Sequence, residues 1–168
     1  INILSSSALE GIAIAPTEID NLVRRIPLLL RTPDGWVASF GTQVLKSITG
    51  AKSYIITTNE NGIQEIAIRG LPPVKTDSFG RKWVSWVKTN ETTLNEMNVL
   101  GQYVFVGVTA NGVMPQIATP IGLVEPHYIQ AALAESMLIP NSPYIPDYAL
   151  AAEVSVFIVS VTLTWMLL

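Results

Sequence analysis

Hydrophobic and polar positions change rhythm several times along this chain. In Ser39–Thr49, SFGTQVLKSIT, the apolar residues Phe40, Val44, Leu45 and Ile48 recur at helical spacing and Gly50 follows directly. That spacing predicts a short amphipathic helix with the glycine as its stop. Two strand-like runs come next, Ser53–Asn59 and Ile63–Arg69, joined across Glu60-Asn61-Gly62. Asn-Gly between β-branched runs is the strongest short hairpin signal. Leu71-Pro72-Pro73 breaks the pattern, Asp77-Ser78-Phe79-Gly80 predicts a turn, and Lys82–Lys88 returns as a strand carrying Trp83 and Trp86. Their odd separation puts the two tryptophans on opposite faces, so at most one is expected in the core. Tyr103–Val108 is apolar without alternation, the pattern of a strand buried on both sides. Val124–Leu138 reads as a helix with Pro126 in its first turn. Together these elements predict an α/β or α+β fold, a mixed β-sheet with flanking helices.

The pattern then changes once more. From Ala149 to Leu168 twenty residues carry one charge, Glu153. As a helix they span about 30 Å, close to the hydrocarbon thickness of a bilayer. Tyr148 stands where an interfacial aromatic belongs, and Pro140, Pro143 and Pro146 form a stiff approach. The expected organisation is a water-facing domain over residues 1–139, a Pro-rich linker over 140–147 and a transmembrane helix over 148–168. The start at Ile1 and the end inside an apolar run read as those of a fragment. No Lys or Arg cluster flanks the apolar run, so charge does not orient it.

Composition adds three constraints. Charged residues make up 14% of the chain, against about 25% in an ordinary soluble domain, and the C-terminal run accounts for part of the deficit. The net charge of −3 leaves no basic footprint for nucleic acid. The chain has no cysteine, which removes disulfides, thiolate metal sites and cysteine nucleophiles. Ile1–Ser7 has no basic n-region and no apolar run of signal-peptide length.

Candidate chemistry is sparse. YVFVGVTANG, residues 103–112, looks at first like a phosphate loop, but Val113 and Met114 stand where a Walker A motif needs Lys and Ser/Thr. Neither a G-x-G-x-x-G nor a G-x-S-x-G pattern is present there. The single histidine, His127, has Glu125 and Glu135 nearby in sequence, but a metal site needs three or four converging ligands. No catalytic residue, metal or cofactor is expected. Arg24-Arg25 is the densest basic site. Its plain reading is a strand edge over a packed Val23, Ile26 and Leu28, and its functional reading is a fork for a carboxylate or other anion.

Several segments, taken in order, carry a resemblance. DNLVRRIPLLLRTPDGWVASFGTQVL resembles the D-x-x-x-x-R-R-x-P-L-L stretch and following short helix of the CHASE2 family. LPPVKTDSFGRKWVSWV is similar to that family's proline, turn-glycine and "I-N-Y" strand, and LGQYVFVGVTANG to its "L-x-G-K-x-V-x-I-G-x-T-A" strand. ATPIGLVEPHYIQAAL resembles its "T-P-x-G … V-E-x-H-A" segment at Thr119, Pro120, Gly122, Val124, Glu125 and His127. The chain departs from the pattern where the family's N-terminal "D-x-x-S" strand and "W-P-W-x-R" segment would stand. It departs again at Gln102-Tyr103, in the shorter segment before Gly101, at Val113-Met114-Pro115-Gln116 and at Tyr128.

The resemblance implies an extracytoplasmic sensory domain of a bacterial inner-membrane receptor, periplasmic in its soluble part. Its signal would be a small molecule or a protein, its output domain a cyclase, kinase or similar, and its assembly a homodimer. Motif position makes Arg24, Arg25, Thr109, Asn111, Thr119 and His127 the candidate ligand-binding residues. Two rival readings stand beside it. One is a membrane-anchored docking module, which an exposed Trp83 or Trp86 would favour. The other is a tethered hydrolase, which would need His127 in a triad.

Overall fold

The computed structural model describes residues 9–86, 101–110, 113–139, 143–146 and 148–167. Its elements are β1 (Arg25–Pro27), β2 (Leu29–Thr32), β3 (Gly35–Ala38), α1 (Phe40–Thr49), β4 (Tyr54–Asn59), β5 (Gly62–Ile68), β6 (Val74–Lys75), β7 (Arg81–Trp83), β8 (Ile117–Thr119), β9 (Gly122–Val124), α2 (Pro126–Leu138) and α3 (Ala149–Leu167). This is an α+β fold of small antiparallel sheets: β4-β5-β6, and the pairs β1-β7, β2-β3 and β8-β9. Among the described residues the parallel contact is the bridge between Ile12 and Ser39.

Local signals set most of these elements. Gly50 ends α1 at φ 64°, a left-handed position that suits a residue without Cβ, and its amide donates to Ser47 O at 3.1 Å. The expected hairpin is β4–β5, with a register shift between Thr57 and Thr58. The turn at 77–80 leads into β7, and Pro126 opens α2 at its first position. The expected strand over Lys82–Lys88 is realised as Arg81–Trp83, and residues 87 and 88 lie outside the described ones. Trp83 and Trp86 are both half-buried, so neither forms an open aromatic face.

Tyr103–Val108 differs from its expectation. It forms no strand, and Tyr103, Val104, Val106 and Val108 are exposed. A strand buried on both faces needs a ladder partner on each side, and none of the described strands pairs with this segment. Phe105 is half-buried and anchors the run edge-on against Phe40, ring centroids 5.9 Å apart.

The core sits between the helices and the sheets. Val23, Ile26 and Leu28 are fully buried with Ile66, Ile129 and Leu133 around them. The helices α1 and α2 meet through a buried polar link. Gln130 of α2 accepts from the Gly41 amide at 3.1 Å and donates to Ile14 O at 3.3 Å. It thus satisfies one of the amides that the first turn of any helix leaves unpaired.

α3 is long and apolar enough to cross a membrane, and none of its residues is buried. The hydroxyls of Ser155, Ser160, Thr162 and Thr164 all donate to carbonyls three or four residues earlier in the same helix. Hydroxyls satisfied in this way suit a helix surrounded by hydrocarbon.

Candidate functional site

Three clusters of polar side chains stand out. The first gathers around the paired arginines. Arg24 donates to both carboxylate oxygens of Asp20 at 2.9 and 2.6 Å and reaches Glu18 at 3.3 Å. Arg25 donates to Glu18 at 2.7 Å and to Asp77 at 3.3 Å, and its guanidinium lies over the Trp83 ring at 5.4 Å. Asp77 is the hub. One of its oxygens accepts from Arg81 Nε at 2.8 Å, and the other caps the turn by accepting the Phe79 and Arg81 amides at 3.1 and 2.9 Å. The Arg24 hydrogen bonds hold the Asp20 carboxyl below the usual carboxylate range, and Asp20 in turn raises Arg24. Three guanidinium groups thus meet three carboxylates, and the cluster clamps residues 18–25 onto the 77–81 turn. An incoming anion must compete with carboxylates already in place.

The second cluster joins the 103–110 segment to the start of α2. A Cβ added at Gly107 would lie 2.0 Å from His127 Cγ and 2.1 Å from Nδ1. The imidazole therefore rests directly on the Gly107 backbone, an approach open to glycine alone. Thr109, two residues on, is exposed, and His127 is half-buried at the second position of α2. Glu125 just before α2 accepts from Gln116 Nε2 at 3.2 Å. Thr119 is buried and donates its hydroxyl to Gly122 O at 2.7 Å, closing the β8–β9 hairpin. Of the six expected ligand residues, Thr109 and His127 thus share one neighbourhood and Arg24 and Arg25 another. Asn111 lies outside the described residues.

The third cluster is one that the sequence reading passed over. Lys82 is 3% exposed and sits opposite Ile26 in the β1–β7 register. Its side chain forms no ion pair among the described residues. Burial pushes its ammonium below the ordinary lysine value. Thr76 is buried as well, and its Oγ1 lacks a hydrogen-bond partner. The signal in the sequence was parity: Lys82 shares its strand face with Val84 under a period of two, and Val84 is buried.

Among the described residues no group of three His, Asp or Glu side chains is placed to hold a metal ion. No curated protein and no solved structure matches the chain. The profile of the CHASE2 domain matches residues 3–168. A match over nearly the whole length, with the motif order and the apolar helix that follows the domain, makes this chain a member of the CHASE2 family of extracytoplasmic sensory domains.

Proposed function

We propose that this chain is the input domain of a bacterial transmembrane receptor, periplasmic in its soluble part and anchored in the inner membrane by α3. It relays the binding of a small molecule or protein to a cytoplasmic output domain, as a homodimer and without chemistry of its own. The observation that carries this reading is the continuity between domain and span: α2 ends at Leu138 and the membrane-length helix begins at Ala149. One contact supports it further. Lys75 of β6 lies over the Tyr144 ring at 4.5 Å, so the β4-β5-β6 sheet grips the approach to the helix. A ligand that favours one arrangement of the sheets over another would thereby act on α3. For ligand contact we propose Thr109 and His127 with Asn111 and Thr119, while Arg24 and Arg25 hold the loop beside them and answer to an anion only by exchanging partners.

The absence of cysteine offers a clean test. Lys52 is exposed, and a single Lys52→Cys substitution gives the chain one thiol. A membrane-impermeant maleimide is expected to label it in intact spheroplasts expressing the receptor. Labelling only after lysis would overturn the extracytoplasmic placement. The docking reading draws on one observation, the exposed apolar run at Tyr103, Val104, Val106 and Val108.

A further inference from the structure

The β4-β5-β6 sheet has two edges, and the chain treats them differently. One edge is β6, two residues long, of which one is Lys75. A very short strand and an edge lysine are two devices that keep a sheet from recruiting another chain. The other edge is β4, Tyr54–Asn59, which carries no charge, no proline and no glycine. Ile55, Thr57, Thr58 and Asn59 are exposed, Ile55 to 61%. The register passes from Thr57↔Glu65 to Thr58↔Ile63, so the extra residue is Gln64 of β5, and β4 itself runs without an insertion. Among the described residues no strand pairs with its outer side. The amides and carbonyls along such an edge are a template for one more strand.

The charges at its ends say which strand fits. Lys52 lies two residues before β4 and Glu60 one residue after it, and both are exposed. A second copy laid antiparallel about a two-fold axis at Ile56 sets Lys52 beside the partner's Glu60 and Glu60 beside the partner's Lys52. Ile55 then stands opposite the partner's Thr57, a β-branched cross-strand pair. The edge is thus complementary to itself, as a two-fold interface has to be. We propose that β4 pairs with β4 of a second copy, so that β6-β5-β4 of one protomer continues into β4-β5-β6 of the other. The homodimer belongs to the functional reading above, and this inference names its seam. Lys75 of each protomer holds its own Tyr144, so the joined sheet connects the two approaches to α3.

The test uses the full chain in detergent micelles. The chain has no cysteine, so two differently tagged variants, Ile55→Cys and Thr57→Cys, each carry one thiol at an exposed position. In the proposed register the two thiols face one another, with Cα atoms about 4.5–5.5 Å apart, within disulfide reach. Either variant paired with itself is offset diagonally by about 7–8 Å, which is too far. Mild oxidation of the mixture is therefore expected to give the mixed disulfide several-fold over either self-link. Lys52→Glu sets two carboxylates together at both ends of the seam and should weaken the dimer about tenfold at low salt, and less at high salt. Adding Glu60→Lys to it should restore the dimer. A dimer that forms no mixed disulfide, or a charge reversal that the second substitution does not rescue, would overturn the seam and leave the homodimer standing. A chain that sediments as a monomer at every concentration would overturn both. The spheroplast labelling reads monomer and dimer alike, so the membrane placement and the seam can fail separately.

Discussion

Replacing Gly107 with alanine tests the contact that joins the 103–110 segment to α2. The added Cβ would lie 2.0 Å from His127 Cγ, where ordinary contact begins at 3.4 Å. The ring has to retreat by more than an ångström or the segment has to lift. Cγ is attached at the base of the side chain, so a change of the outer torsion alone does not clear it. Forced overpacking of this kind costs about 2 kcal/mol, a midpoint drop of roughly 5–10 °C in a domain this size. The chain has a single histidine, so its imidazole proton resonances report the displacement without assignment. A double-mutant cycle isolates the cause. His127→Ala removes the obstructing ring, and in its presence Gly107→Ala should be nearly neutral, giving a coupling of about 1–2 kcal/mol. Effects that simply add, together with an unmoved imidazole signal in Gly107→Ala, would refute the contact and with it the shared neighbourhood of Thr109 and His127.

Two further outcomes follow from the charged groups. Lys82 has a folded-state pKa depressed below the ordinary 10.5, so the unfolded chain binds more protons in the interval between the two values. Stability conferred by this group is therefore complete above 10.5 and lost as pH falls through the folded value. Lys82→Met removes the cost of desolvating this charge, so its stability relative to wild type should fall as pH rises toward 10.5, and chemical denaturation showing a pH-independent gap would contradict the depressed value. Arg25→Ala removes the link between Glu18 and Asp77 at a site where Asp77 is 10% exposed, and should cost about 2 kcal/mol. Arg24→Ala, whose partner Asp20 is about half exposed, should cost less in the same denaturation assay. Equal losses would argue against Asp77 as the hub.

Reading the chain without a structure works where a few adjacent residues decide the outcome. The Phe40–Ile48 spacing with Gly50, the Asn61-Gly62 turn and Pro126 at a helix start all act within a turn or two, and each is realised. Tyr103–Val108 fails for the opposite reason. Its hydrophobicity is local, but strand status depends on partners elsewhere in the chain. The site shows the same division. That Arg24 and Arg25 would matter electrostatically was visible, yet Arg25 meets Asp77 across 52 positions, a pairing that no short window contains. The imidazole on Gly107 joins two motifs that read as separate. Lys82 was named only as the start of its strand, although the alternation it shares with the buried Val84 points it inward.

The four hydroxyls of α3 have a mechanical consequence. Each is turned back onto its own helix, at Ser155, Ser160, Thr162 and Thr164. None needs a neighbouring span to be satisfied, which leaves Glu153 and Trp165 as the side chains of the helix with polar groups still to offer one. A helix whose hydroxyls are spent on itself has few bonds to break and re-form when it slides or turns. The helix behaves like a greased shaft, and the work of fixing its position falls on the domain at its end.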